Sequence, residues 1–282
     1  MTPLRQLALD TMLLRGYAER TQYSYLSAIN RLAQHYHKSP AHLSPEEIQN
    51  YFLHNIKERH WSPATCRLAI NAFHFLYIDV LKWEKTKFIF DLPRREQRIP
   101  ELLTQQEVSN ILAYTKNFRQ KTMLSLCYGC GLRVSELVGI RVIDIDSERH
   151  LLKITQGKGR KDRQVILPEE LIQQLRQCWL QYRSPKWLFN SINPQKHLNV
   201  GTAQKYYQGA KKRAKITKVG GIHALRHYAT HQLMMGMPIN MLQEQLGHKD
   251  TRCTMRYLHW VPNYAEGQYR DLLLDVGGYD NE

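Results

Sequence analysis

Residues 223–231 read HALRHYATH, with histidines at 223, 227 and 231 and Arg226 between the first two. On a helix, positions four apart share a face. The spacing therefore admits three readings: zinc ligands, a core stripe, or a group that handles phosphate. His223 and His227 have the spacing of a helical HExxH zinc pair. Yet Ala224 stands where a general-base glutamate would be, and Arg226 adds positive charge to a cation site. No metal and no cofactor is expected. The pair His223 and Arg226 makes better sense as a phosphate clamp, since a guanidinium forks onto two oxygens and an imidazole beside it donates or accepts a proton. HxxR alone is a weak pattern, and its meaning depends on the rest of the chain.

Forty Lys and Arg against 25 Asp and Glu leave a net charge of +15, which points to a polyanionic partner, nucleic acid first. Such binding releases counterions, with a salt slope of about −0.9 per phosphate contacted on duplex DNA. A length of 282 residues suits one large domain or two ordinary ones, and 43% hydrophobic residues supply a core. The five cysteines are an odd number and read as reduced thiols, with Cys127 and Cys130 as core packing rather than half of a zinc site. No apolar run approaches the roughly 18 residues of a membrane span. A soluble, cytoplasmic protein without membrane contact is expected.

Residues 2–83 carry helical spacing throughout, as in Gln22, Tyr25, Leu26, Ile29, Leu32, Ala33 and Tyr36. Ser44-Pro45 with Glu47, and Ser62-Pro63, mark helix starts, and four helices are predicted. Pro93 and Pro100 break the pattern in a basic linker over 85–103, in which Arg94, Arg95 and Arg98 concentrate charge. Thr104 and Glu107 open a second helical region that runs to a turn at Gly129-Cys130-Gly131, and a further helix starts near Arg133. Two β-rich arms, Leu151 to Thr155 and Gln164 to Leu167, flank a polar tip that carries Lys158 and Lys161. The rest is helical, including the basic stretch around Lys211, Lys212 and Arg213.

Taken in order, Arg133 in GLRVSEL, Lys158 in GKGRKDR, His223 and Arg226 in HALRH, His248 in LGH and Tyr257 in RYLH form a set that resembles the tyrosine recombinases of the phage-integrase family. RYLHW and the compact size are similar to integrases of integrons and related mobile elements. The resemblance implies a mainly α fold with a small β-sheet (α+β). It places a helical core-binding domain at 1–84, the linker at 85–103 and a catalytic domain at 104–282, closing as a C-shaped clamp on DNA. It further implies site-specific recombination, integration or excision, on double-stranded DNA with an inverted-repeat core site. A homo-tetramer would act on two duplexes in a prokaryotic nucleoid, with a partner recombinase or accessory proteins possible.

The same resemblance assigns roles. Arg133 and Arg226 would clamp the non-bridging oxygens as charge builds on the phosphodiester, and His248 would support the same phosphate. Tyr257 would attack, His223 would take its proton, and Lys158 would protonate the departing 5′-hydroxyl, with Lys161 on the same tip able to exchange roles with it. Glu136 reads either as the group that orients Arg133 or as a surface i, i+3 ion pair. His227 and His231 read as residues that seat the helix. Arg94, Arg95, Arg98, Lys161, Lys211, Lys212 and Arg213 are the expected DNA contacts. The family usually carries one more residue between the RH and ATH phrases. A missing helical residue turns the later part of the helix by roughly 100°. That shift leaves open an impaired DNA-binding protein of the same fold, beside a topoisomerase-like nicking and closing enzyme.

Overall fold

A computed structural model of the chain describes residues 2–84, 101–155, 162–248 and 250–258. Arg94, Arg95 and Arg98 of the expected linker, Lys158 and Lys161 of the expected hairpin tip, and the residues beyond Leu258 lie outside the described residues. The described residues form two compact units, one before residue 85 and one from residue 101 onward.

The first unit is all-helical: α1 (Pro3–Leu14), α2 (Glu19–Tyr36), α3 (Pro45–Lys57) and α4 (Pro63–His74), with one wider helical turn over Phe75–Val80. The starts follow from the sequence. Ser44 accepts from the Glu47 amide while the Glu47 carboxylate accepts from the Ser44 amide, a complete capping box in front of α3. Ser62 caps α4 one way, accepting from the Thr65 amide. The interior is built from Leu32, Ile48, Tyr51, Phe73, Phe75, Leu76 and Tyr77.

The second unit opens with α5 (Gln105–Ala113), capped by Thr104 and Glu107, and α6 (Phe118–Gly129), capped by Asn117. The chain then reverses through Gly131, which has φ +57° and lies so close to the Tyr228 ring that any side chain would collide with it. The short α7 (Val134–Val138) comes next, then an antiparallel sheet of β1 (Ile145–Asp146), β2 (Leu151–Ile154) and β3 (Arg163–Ile166) in that order. Leu152 pairs with Val165 and Ile154 with Arg163, so Leu152, Ile154 and Val165 face the core together. After α8 (Glu169–Tyr182) and α9 (Val200–Arg213) come a 3-10 run over Ile222–His227, α10 (Tyr228–Met234), α11 (Ile239–Leu246) and α12 (Thr251–Leu258).

Two features depart from the sequence reading. The sheet has a third strand, β1, too short to carry a periodic signal. HALRHYATH is also not one helix: residues up to His227 are 3-10 and only Tyr228 onward is α. At three residues per turn, i and i+3 eclipse, so His223 and Arg226 fall on one edge, and the four-residue histidine ladder does not form a single face.

Candidate active site

The arginines of the site gather around Glu136, whose side chain is only 4% exposed. It lies one turn into α7, and its Oε2 accepts from the Arg133 amide at the helix start, 2.9 Å away. Three guanidinium groups surround the same carboxylate. Arg133 Nη1 donates to Oε1 at 2.7 Å, Arg163 forks onto Oε1 and Oε2 at 2.9 Å each, and Arg226 Nη1 stands 4.0 Å from Oε2. Burial alone would raise the Glu136 pKa. The bonds and charge of Arg163, then those of Arg133, outweigh it and bring the pKa down to about 2. Glu136 is therefore ionised at any working pH, and the alternative of a surface ion pair is excluded by its burial.

Arg226 is among the largest fully enclosed side chains of the chain. Its Nη1 donates to the Gly131 carbonyl, and its Nη2 donates to the Leu246 carbonyl at 2.5 Å and to His248 Nε2 at 3.3 Å. Desolvation first, and then the like charge of Arg133, lower its pKa to about 10, while Tyr257 and Glu136 pull the other way. It stays charged at neutral pH.

The His248 tautomer follows from its partners. A guanidinium can only donate, so Nε2 accepts and Nδ1 carries the proton, which it gives to Thr254 Oγ1 at 2.8 Å. Thr254 is buried on α12, one turn before Tyr257. The Tyr257 ring lies parallel to His248 with centroids 6.2 Å apart and edge-on to His227 at 6.3 Å, and its hydroxyl lies close enough to Arg226 for the guanidinium to act on it. Burial raises the Tyr257 pKa, and the charges of Arg226 and Arg133 partly offset that. The shortened tract after Arg226 thus still brings Arg226, His248 and Tyr257 together.

The other two histidines of HALRHYATH and His223 diverge from one another. His223 has an open side, yet partial desolvation and then Arg226 and Arg133 lower its pKa below the ordinary imidazole value. Desolvation of the half-buried His227 ring, and then its neighbours His223 and His231, push its pKa down to about 4. Both are neutral at pH 7 and able to accept a proton. His231 turns away: Nδ1 bonds the Tyr128 hydroxyl at 2.8 Å and Nε2 bonds the Leu103 carbonyl at 2.9 Å, fixing α10 to α6 and to the start of the unit. Among the described residues no group of three or more His, Cys, Asp or Glu side chains could hold a metal ion.

One expected DNA contact needs correcting. Lys211 is buried, and its ammonium donates to the Lys218 carbonyl, so in this conformation it closes the end of α9 from within. Lys212 is exposed, and Arg213 Nε donates to the Tyr114 carbonyl at 2.7 Å. Sequence reasoning also missed Arg163, Gln245 and Thr254. Arg163 ends the GKGRKDR stretch, where it had no role of its own. Nothing local to any of the three signals a partner more than 80 residues away or a neighbour across a turn.

The chain matches two family descriptions: the phage integrase family over residues 101–263, and a phage integrase N-terminal SAM-like domain over residues 4–87. A putative integrase/recombinase, y4qK, of Sinorhizobium fredii is 32% identical over 93% of this chain and 86% of its own length. The tyrosine recombinase XerD of Yersinia pestis is 29% identical over 91% of this chain and 92% of its own. Among solved structures, a lambda integrase dimer bound to a core site superposes with a TM-score of 0.74 at 18% identity, covering 89% of this chain and 95% of that one. No described helix is long and apolar enough to cross a membrane.

Proposed function

The chain belongs to the phage integrase family, and from that premise we propose that Tyr257 is the nucleophile with which this enzyme, a tyrosine-type site-specific DNA recombinase, cuts and rejoins DNA. The observation that carries the assignment is the meeting of Tyr257, Arg226 and His248 beside the carboxylate that also holds Arg133.

In this reading the scissile phosphate enters on the side of Arg226 and Arg133, whose charges stabilise the pentacoordinate transition state. The Tyr257 oxygen attacks phosphorus, the bond to the 5′-oxygen breaks, and a 3′-phosphotyrosyl ester forms. The phenol gives its proton to a neutral imidazole, His223 in the first instance, whose pKa is lowered by desolvation and then by the charges of Arg226 and Arg133. The departing 5′-oxygen takes a proton from Lys158, or from Lys161 on the same tip. Attack by the 5′-hydroxyl of another strand reverses the sequence, so bond energy is conserved and neither ATP nor a metal is consumed.

The partner is double-stranded DNA, in keeping with the net charge of +15 and with structural relatives solved on DNA sites. The finer reading is a homo-tetramer on two duplexes with inverted-repeat core sites, serving a mobile element in a prokaryotic cytoplasm. The domain reading is 1–84, 85–103 and 104–282, with residues 101–103 already packed as part of the second unit, and Arg94, Arg95, Arg98, Lys161, Lys212 and Arg213 are the proposed DNA contacts. Nothing in the site favours a topoisomerase-like enzyme or an inactive accessory protein.

The test is a suicide substrate nicked beside the core site, incubated without metal or ATP. A covalent protein–DNA adduct is expected from the natural chain. Tyr257→Phe should lower its formation by roughly 10⁴-fold or more while leaving DNA binding intact. Tight binding of cognate DNA with no adduct from the natural chain would overturn the assignment.

A further inference from the structure

We infer that Arg163 is a positioning residue for the recombination chemistry: it sets the Glu136 carboxylate that aligns both clamp arginines, and it locks the strand leading from the hairpin tip against the loop that carries His248. The inference rests on the assignment of Arg133, Arg226, His248 and Tyr257 above.

Arg163 is the first residue of β3, and its side chain is 11% exposed. Its three bonds go inward: Nη1 and Nη2 to the two Glu136 oxygens, and Nε to the Gln245 carbonyl at 3.2 Å. A guanidinium spent in this way does not face a phosphate. Its fork instead fixes both oxygens of Glu136 in one plane. Once that plane is fixed, Oε1 presents itself to Arg133 Nη1 and Oε2 to the Arg133 amide and, at longer range, to Arg226. The clamp arginines thus meet one carboxylate, Arg133 by hydrogen bonds and Arg226 by its charge at 4.0 Å, and Arg163 determines where that carboxylate points.

The second contact reaches His248. Gln245 and Leu246 end α11, and Gly247 leads directly into His248. Gln245 is tied to β3 three times: its carbonyl accepts from Arg163, its side-chain Oε1 accepts from the Ile166 amide at 3.0 Å, and its Nε2 donates to the Ile166 carbonyl at 3.4 Å. Gly247 has φ +62°, and a Cβ there would come within 2.6 Å of Arg163 Cδ. The glycine therefore serves two ends: it closes α11 in the left-handed region and leaves room for the Arg163 stem. Arg163 is the point at which the β-hairpin, α7 and the His248 loop are joined.

The experiment compares Arg163→Lys and Arg163→Met with the natural chain in single-turnover cleavage of the nicked substrate at saturating protein, from pH 5 to pH 9. Lysine keeps the charge but cannot fork across two oxygens. We expect both variants to bind DNA normally and to cleave about 10- to 100-fold more slowly, the cost of a small misplacement of catalytic groups. In Arg163→Met, Glu136 loses its chief counter-charge and titrates at higher pH, so the rate relative to the natural chain, whose Glu136 stays ionised throughout, falls further toward pH 5; in Arg163→Lys this extra fall is smaller. A merely structural arginine would lower the folded fraction and scale the rate equally at every pH. That outcome, or cleavage at the natural rate by both variants, overturns the inference. Failure of the natural chain itself to form an adduct would count against the assignment of Tyr257, which separates the two failures.

Discussion

The two units of this chain solve the same problem of burial with opposite materials. The N-terminal unit fills its interior with aromatic and aliphatic side chains. Apart from tyrosine hydroxyls, Asn55 is its one buried polar side chain among the described residues, and its Nδ2 donates to the Tyr51 carbonyl at 2.7 Å. Even the Tyr77 hydroxyl finds a carbonyl, that of Pro40, at 2.8 Å. The C-terminal unit has a comparable apolar core. Beside it, it encloses Arg226, Glu136, Gln245, Thr254 and His231. Taking an ion out of water costs several kcal/mol, and its partner often no more than repays this. A cluster of three arginines around one carboxylate is thus a poor way to stabilise a fold. It is a good way to hold cations fixed, in low dielectric, before a negatively charged substrate arrives. The first core is built for packing, the second for charge in a set geometry.

The sharpest way to break this contrast is to damage each core by its own logic. Phe73 is fully buried between Tyr51 and Phe52, with ring centroids 5.9 and 5.5 Å away. Phe73→Ala leaves a cavity that those neighbours only partly fill, and should cost about 3–5 kcal/mol. The loss should appear in denaturant unfolding as a lower midpoint for the N-terminal transition, equal at pH 4 and pH 8 because no titrating group is involved. A pH-dependent loss would show that this core too depends on charge.

The same contrast explains what the sequence could and could not announce. The N-terminal helices were legible because their causes are local: caps three residues apart, prolines at the first turn, apolar positions at steps of three and four. So were the two longer strands, the helix behind Arg133 and the linear order of site residues, since each depends on near neighbours or on a familiar phrase. What escaped is what only the folded chain brings together. Arg163 meets Glu136 across 27 positions and Gln245 across 82. The 3-10 run at Ile222–His227 escaped because histidines four apart satisfy the α period, and only the tertiary demand of Arg226 for the Gly131 and Leu246 carbonyls shows otherwise. Lys211 read as one of three exposed cations, yet burial of one member of a basic run is a property of helix orientation.

The charged core should answer to pH where the aromatic one does not. Glu136 has a folded pKa of about 2, below the ordinary 4.5. A depressed carboxylate contributes stability that is present above the unfolded pKa and lost as pH falls through the folded value. The full contribution is on the order of 3 kcal/mol at most, from a shift of a few units at about 1.4 kcal/mol each. Glu136→Gln should therefore be less stable than the natural chain by up to that amount at pH 6 to 8, and the gap should close between about pH 4.5 and pH 2. Thermal unfolding across that range measures it. A gap constant with pH would mean that the variant had lost shape rather than charge.

The smallest expected effect comes from one motif that occurs in both units. Ser44 with Glu47 and Thr104 with Glu107 form the same reciprocal capping box, and in each a lysine adds to the glutamate, Lys38 in the first and Lys218 in the second, both at 2.6 Å. Removing the cap hydroxyl should cost about 1 kcal/mol in either place. The consequences should differ, because Lys218 also donates to the Leu102 carbonyl at 2.7 Å and the next residue, Val219, donates its amide to Glu101 at 2.8 Å. That knot lies four residues before His223. Ser44→Ala should then shift only the unfolding midpoint and leave the cleavage rate on saturating DNA unchanged. Thr104→Ala should give the same shift together with a slower cleavage step, since it loosens the glutamate that anchors the approach to His223. Equal cleavage by both variants would show that the cap in the catalytic unit is as purely local as its counterpart, and that the charged core is insulated from the segment leading into it.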